Sequence, residues 1–333
     1  MKRHNNLFSQ IVDIDNIRLA YKKARKGKTA KSAIKRFDID PEKRILAIQD
    51  SLINNTFTTS SYQTKWISEP KSRLVYVLPF NPDRVVQHAI LNILEPIWER
   101  LFIDDSYACR VGKGIHLGSK KCMEFVRHYK YCLKCDISKF YPSVNHNILF
   151  SIVKHKIKCK KTLELLSNII YSIPNGKNVP IGNYTSQWFG NLYLNELDQL
   201  LKHQGKVKPY LRYCDDFLSF SNSKQFLNDL SGTIKEFCYE KLNLTLSKCD
   251  LFPVSQGVDF LGYRHFKDRI LLRKSTATRV KRRLRVLPRL LEQGKISLDS
   301  YRSSLASTAG WLKWSNSYNL NLSLQLDKLM SSI

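Results

Sequence analysis

Residues 210–221 read YLRYCDDFLSFS, and no other stretch restricts the fold as strongly. Two aspartates, Asp215 and Asp216, sit side by side between apolar and aromatic flanks. Those flanks read as two strands joined by a tight turn. Adjacent carboxylates repel, by about 1 kcal/mol at ~4 Å in water and several times more in a partly dry site. Either the pair occupies a solvated turn, where aspartate is favoured, or something positive lies between its members. A hairpin within a chain that alternates helix and strand argues for an α+β fold and against a doubly wound parallel sheet.

A second strand, YCLKCDIS, offers a third carboxylate. Period 2 sends Leu133, Cys135 and Ile137 toward a core, and Cys132, Lys134 and Asp136 toward an open face. Asp136, Asp215 and Asp216 together would repel unless divalent cations join them. Hard oxygen ligands suit Mg²⁺, and two ions about 4 Å apart suit in-line phosphoryl transfer. The CLKC spacing of Cys132 and Cys135 invites zinc, but no second Cys/His pair of ligand spacing follows, so the eight cysteines read as reduced thiols.

Elsewhere the periodicity is mostly helical. Ile17, Ala20, Tyr21 and Ala24 share a face; Asp40 and Pro41 open a helix carrying Ile45, Ile48 and Leu52. Residues 73–78 alternate as a strand, and Val86, Ile90, Ile93, Ile97 and Leu101 form a helical stripe with His88 as a structural histidine. A strand from 131 ends at Pro142, a Gly/Pro/Asn-rich loop spans 174–186, and Thr185 or Ser186 caps the helix after it. Near the C-terminus Val280, Leu284, Leu287 and Leu291 line one face of a basic helix that Pro288 should kink or end. Trp311 and Trp314 read as core of the bundle that follows. Lysine and arginine number 55 against 28 aspartates and glutamates, a formal charge of +27. That excess points to a polyanionic partner, nucleic acid first. No apolar run spans a bilayer and the start lacks a signal-peptide core, so a cytoplasmic protein with no membrane partner is expected.

YCDD between apolar strands resembles the catalytic hairpin of reverse transcriptases. CDISKFYPSV resembles their first catalytic motif, PIGNYTSQWFGNLYLNELD their nucleotide-binding loop and helix, and DFLGY their primer-grip turn. SEPKSRLVYVLPFNPDRVVQHAI and DSYACRVGKGIH resemble the fingers and early palm blocks, in the family's order over nearly the whole chain. The resemblance implies a right-hand polymerase: fingers at 1–105 and 145–180, a palm with an antiparallel sheet at 106–144 and 181–272, and a basic helical thumb at 273–333. The chain ends soon after the basic helices, so no RNase H, maturase or endonuclease domain is expected. The IGxxxSQ form of the loop, with Ile181-Gly182 and Ser186-Gln187, resembles the reverse transcriptases of diversity-generating retroelements, which are prokaryotic or phage-encoded. Those enzymes make error-prone cDNA from a template-repeat RNA, in mutagenic retrohoming, with a small accessory RNA-binding protein oligomer.

The resemblance assigns roles by position. Asp136, Asp215 and Asp216 form the catalytic triad and, with Ile137 beside Asp136, the site for two Mg²⁺ ions, or Mn²⁺ in their place. Tyr141 is the gate against a ribose 2′-hydroxyl. Lys71 and Arg73 contact the triphosphate of the dNTP; Ile181, Gly182, Ser186 and Gln187 form the nucleotide loop; Lys248 protonates the leaving pyrophosphate. Leu261, Gly262 and Tyr263 make the primer grip. Arg279, Lys281, Arg282, Arg283 and Arg285 lie along the template RNA and the RNA/cDNA duplex. Ile181 stands where the family at large has a polar glutamine, and its loss is expected to relax checking of the base pair. The rivals are a reverse transcriptase of anti-phage defence or group II intron type, an RNA-templated RNA polymerase, and a non-catalytic RNA-binding scaffold.

Overall fold

A computed structural model describes residues 3–68, 72–326 and 329. Four helices come first: α1 (Phe8–Ile11), α2 (Ile14–Arg25), α3 (Ser32–Asp38) and α4 (Pro41–Ile53). Side chains set two of their starts. Asp13 accepts from the Asp15 and Asn16 amides, and Asp40 from the Lys43 amide with Pro41 at the first helical position. A hairpin of β1 (Gln63–Ile67) and β2 (Arg73–Val77) precedes α5 (Val85–Glu99) and α6 (Ile115–His128). Then follow β3 (Tyr131–Ile137), the single turn α7 (Phe140–Ser143), α8 (His146–Lys156), α9 (Lys160–Ile170) and α10 (Tyr184–Gln199). The rest is β4 (Tyr210–Tyr213), β5 (Asp216–Ser221), α11 (Lys224–Glu240), β6 (Leu246–Pro253), β7 (Val258–Phe260), β8 (Tyr263–His265), β9 (Ile270–Leu272), α12 (Lys274–Glu292), α13 (Leu298–Lys313) and α14 (Tyr318–Leu324). Helices mixed with antiparallel sheets make this an α+β fold.

The chain divides into two compact units. One comprises Met1–Asp104, Ile137–Lys206 and Thr233–Ser247. Its centre is α10, buried nearly all round, with Trp188 and Phe189 at 6.3 and 6.1 Å from the Trp98 ring of α5. That contact rotates α5 away from the expected stripe. Val86 and Ile90 are buried, but Leu94 and Trp98 continue the buried face, while Ile93 and Ile97 are half-buried and Leu101 lies beyond the helix. A tryptophan buries more surface than an isoleucine, and its packing sets the rotation.

The other unit comprises Asp105–Asp136, Val207–Gly232 and Lys248–Ile333. Its four-stranded sheet has the order β4-β5-β3-β6, and a three-stranded antiparallel sheet has the order β7-β8-β9. Cys132, Leu211, Leu218 and Phe220 form one core cluster with Cys122, Phe125 and Val126 of α6. Cys132 was expected on an open face; α6 covers that side of β3, so only Lys134 and Asp136 of the alternating set remain partly exposed. β3 stops at Ile137, five residues short of Pro142. Lys139 turns left-handed at φ 42° and α7 forms the next turn.

A second cluster gathers Tyr263, Leu272, Leu284, Leu287, Tyr301, Leu305 and Leu312. Here α12 runs through Pro288 without ending. Leu284 and Leu287, buried on one face immediately before it, hold the helix despite the missing amide donor. Trp311 packs on this cluster as expected, but Trp314 is 40% exposed and stacks on His116 at 4.4 Å instead. No helix among the described residues is long and apolar enough to cross a membrane.

Candidate active site

β4 and β5 form the hairpin expected for the opening motif, with Tyr213 paired to Asp216 and Cys214-Asp215 as a two-residue turn. Cys214 takes φ 53°, as a tight hairpin turn demands at its first position. The turn is held from behind by Arg212. This side chain is fully buried, and its Nη1 donates to the Cys214 carbonyl at 3.1 Å. Residues 105–107 run alongside: the Arg212 amide donates to Asp105 O, and the Tyr107 amide to Arg212 O, both at 2.9 Å. Cys109 also hydrogen-bonds Cys214, which lowers the Cys109 thiol to about 7 and pushes that of Cys214 up.

β3 pairs antiparallel with β5, and Asp136 stands directly opposite Asp216. Directly opposed residues share a face, so two of the three carboxylates project together and the third sits at the adjoining turn. Lys134, two residues before Asp136, comes in diagonally. Its Nζ lies 3.3 Å from Asp216 Oδ2 and donates to the Asp259 carbonyl at 2.5 Å. Burial raises the Asp216 carboxyl to about 6, opposed by Lys134 and reinforced by Asp136 and Asp215. Asp216 Oδ1 is buried with no hydrogen-bond partner. Among the described residues no three Asp, Glu, His or Cys side chains already stand in metal-binding arrangement. The donor set nonetheless fits a hard divalent cation: it is all carboxylate oxygen, one oxygen is orphaned, and the ionised form of Asp216 lacks sufficient positive charge.

Lys248 is exposed on β6, beside Cys249, whose Sγ lies 3.5 Å from that of Cys135. All eight cysteines are free of disulfides. Leu261 and Gly262 form a two-residue turn between β7 and β8, with φ 55° and 84°, and Tyr263 is buried behind it. Both positive angles match a type I′ turn. Arg279, Lys281, Arg282, Arg283 and Arg285 are all exposed on α12, and Arg283 donates to Ser304 Oγ at 2.9 Å.

The expected nucleotide-loop residues lie in the other unit, where they gather with β2 and Tyr141. The Tyr76 amide of β2 donates to Ile181 O at 2.8 Å, and the Val179 amide to Tyr141 O at 2.9 Å. Gly182, at φ 121°, lies so close to the Tyr76 carbonyl that a β-carbon would collide with it. Tyr141 is half-buried, and its ring lies so near Gly190 of α10 that a β-carbon there would be 3.2 Å away. Ile181 is half-buried, Gln187 exposed and Arg73 exposed on the hairpin; Lys71 falls outside the described residues. Neither Thr185 nor Ser186 caps α10. Its N-cap is Asn183, without a side-chain cap bond, and the buried Ser186 hydroxyl donates to Pro180 O at 2.7 Å. The loop folds back on itself, so its hydroxyl serves the loop carbonyl rather than the helix amides.

Two side chains at the hairpin were not singled out by sequence reasoning. Arg212 carried a signal, an arginine inside an apolar strand. Lys134 carried one only after the β3–β5 register is drawn.

The reverse transcriptase (RNA-dependent DNA polymerase) family model matches residues 67–265. Protein YkfC of Escherichia coli is 26% identical over 275 residues, covering 67% of this chain and 71% of YkfC. The group II intron-encoded protein LtrA of Lactococcus lactis is 24% identical over 296 residues, 67% of this chain but 49% of LtrA. A putative COX1/OXI3 intron 2 protein of Saccharomyces cerevisiae is 21% identical over 252 residues, with 29% of its length covered. The chain thus spans about half of LtrA and less of the yeast protein. With the family's model matching more than half of its residues, the chain belongs to the reverse transcriptases.

Proposed function

We propose that this protein extends a nucleic-acid primer on an RNA template with dNTPs. The observation that best supports the reading is the β3–β5 register, with Asp136 opposite Asp216 and Asp215 at the turn. Asp136 and Asp215 would hold the divalent ions, with the Ile137 backbone beside Asp136 and Asp216 in support. Bound Mg²⁺ would lower the charge barrier to attack of a 3′-hydroxyl on the α-phosphate. Tyr141 excludes a ribose 2′-hydroxyl. Lys71 and Arg73 take the triphosphate, and Lys248 gives a proton to the departing pyrophosphate. The Ile181–Gln187 loop bounds the nucleotide, Leu261–Tyr263 positions the primer, and the basic face of α12 follows the duplex backbone. In polymerase terms these roles divide the chain into fingers (1–105, 145–180), palm (106–144, 181–272) and thumb (273–333).

The test is incorporation on a primed RNA template with Mg²⁺, comparing dNTPs with NTPs and the parent with Asp215→Ala/Asp216→Ala. Incorporation of dNTPs by the parent alone is expected. Equal incorporation by the variant would remove the two-metal assignment, and incorporation by neither protein, even with a native RNA and accessory protein, would favour a scaffold.

Within the family, the relatives favour an enzyme of group II intron type, since LtrA and the yeast protein are intron-encoded by name. The second reading is the error-prone enzyme of a diversity-generating retroelement with an accessory protein. It rests on Ile181, an apolar side chain that cannot hydrogen-bond near the base pair. Sequencing the cDNA separates the two: errors concentrated at template adenines and reduced by Ile181→Gln support the second reading, and an even spectrum supports the first.

A further inference from the structure

Helix α8, Tyr171 just beyond α9 and the N-terminal segment line an open cavity of about 630 Å³ that uses none of the residues assigned to polymerisation. Arg3, Asn147, Phe150, Lys154, His155 and Tyr171 line it, and no carboxylate does. The N-terminal segment is stitched in place there. The His4 amide donates to Lys156 O at 2.9 Å, and the Lys158 amide to His4 O at 2.7 Å. Arg3 Nη2 donates to the Lys154 carbonyl at 2.9 Å, at the C-terminal end of α8 where carbonyls lack helical partners.

The aromatic wall is equally fixed. The Tyr171 hydroxyl donates to Asn147 Oδ1 at 2.9 Å. His146 and Phe150 meet the Tyr171 ring edge-on at 5.5 and 5.8 Å. The Lys154 ammonium stands 5.6 Å from the Phe150 ring centre. Tyr171 is nevertheless 40% exposed. A rigid ring left in solvent beside cations, in a pocket without carboxylates, matches what unpaired nucleotides require: a π-face for the base and positive charge for the phosphate. The volume lies within the roughly 300–1,000 Å³ of small-ligand sites. An acidic peptide would satisfy the cations but leave the rings without a role.

We propose that this cavity binds an unpaired nucleotide of single-stranded RNA, its base stacked on the exposed Tyr171 ring with Phe150 against its edge, and its phosphate on Lys154 and Arg3. It is a second RNA contact, additional to the primer–template path.

The probe is a single-stranded oligouridylate carrying 4-thiouridine, cross-linked to the full chain and mapped by mass spectrometry, with affinities from fluorescence anisotropy. Cross-links to Phe150 or Tyr171 are expected. Phe150→Ala/Tyr171→Ala should weaken binding about 10-fold. Lys154→Glu should lower the salt slope by about one, and Tyr171→Phe, which keeps the ring, should bind as the parent does. Extension of a short fully paired primer–template should stay within about twofold in each variant, which separates this site from the polymerase assignment. Thermal melting checks that the double variant folds; should it not, the exposed Lys154→Glu carries the test alone. Equal weakening for the deoxy counterpart supports the site without discrimination by sugar. Cross-links confined to other segments, or unchanged affinity in Lys154→Glu and in the folded double variant, would overturn the proposal and leave the cavity to an acidic peptide.

Discussion

Asp216 is held in a form that its surroundings oppose. Its folded value of about 6 lies above the ordinary 3.8, so between those values the folded protein binds the proton more tightly than the unfolded chain. Stability therefore falls as pH rises through that window, and above about pH 6 the cost is complete. Asp216→Asn is expected to stabilise the protein by about 1–2 kcal/mol at pH 7, to have no effect below about pH 4, and to cut incorporation sharply. Melting curves at the two pH values, beside an incorporation assay, check it. The three aspartates were legible in the sequence because alternation and a turn motif are local signals. The Lys134–Asp216 ion pair was not, since it depends on which residue of β5 faces which residue of β3. Trp314 escaped for a similar reason: helical spacing does not reveal that His116, almost 200 positions earlier, offers a flat ring to stack on.

At the level of elements, the cap of α4 and the β4–β5 hairpin follow directly from residue type, whereas the β7–β8 turn was expected only from the family resemblance and the Asp13 cap of α2 was not read. The misjudged elements are those in which packing overrode a local preference. Trp98 rotates α5, the leucines of α12 carry the helix across Pro288, and the left-handed Lys139 ends β3 early. The β7–β8 turn also offers a sharp test. Gly262 has φ 84°, and a β-carbon there would lie 2.9 Å from the Trp311 ring. Gly262→Ala should therefore cost roughly 1–3 kcal/mol and reduce primer extension more than nucleotide affinity. A variant with parental melting and extension would show that this turn neither strains nor positions anything.

For the whole molecule, two histidines set the acid limit, His265 buried and His88 half-buried. His88 stacks on Tyr184 at 4.2 Å, and His265 is held between the Ser119 hydroxyl at 2.7 Å and the Val258 carbonyl. Burial lowers both to about 4. Their neutral forms fit the fold, so stability present above pH 6.5 is lost as pH falls toward 4, on the order of 2 kcal/mol for each. Asp216 works in the opposite direction and offsets only part of this. The melting temperature should drop between pH 7 and 5, and a His88→Gln/His265→Gln variant should show a flatter profile. Charge acts at the same scale. With +27 on the chain, nucleic-acid binding should weaken steeply with salt. Arg282→Gln/Arg285→Gln should reduce the slope of log affinity against log salt by about two if both reach phosphate; an unchanged slope would take α12 off the duplex.

The buried Arg212 has a consequence for anyone wishing to move this chemistry elsewhere. The acidic turn looks like a portable cassette of a few residues, yet its geometry is borrowed from a guanidinium inside the protein and from a neighbouring run of backbone at 105–107. A lysine would not substitute, because a single ammonium lacks the planar fork. Grafting CDD alone onto another hairpin would transfer the charges without the brace that keeps them in position. The smallest transferable unit is therefore discontinuous in sequence, and a chimaera must carry both pieces or neither.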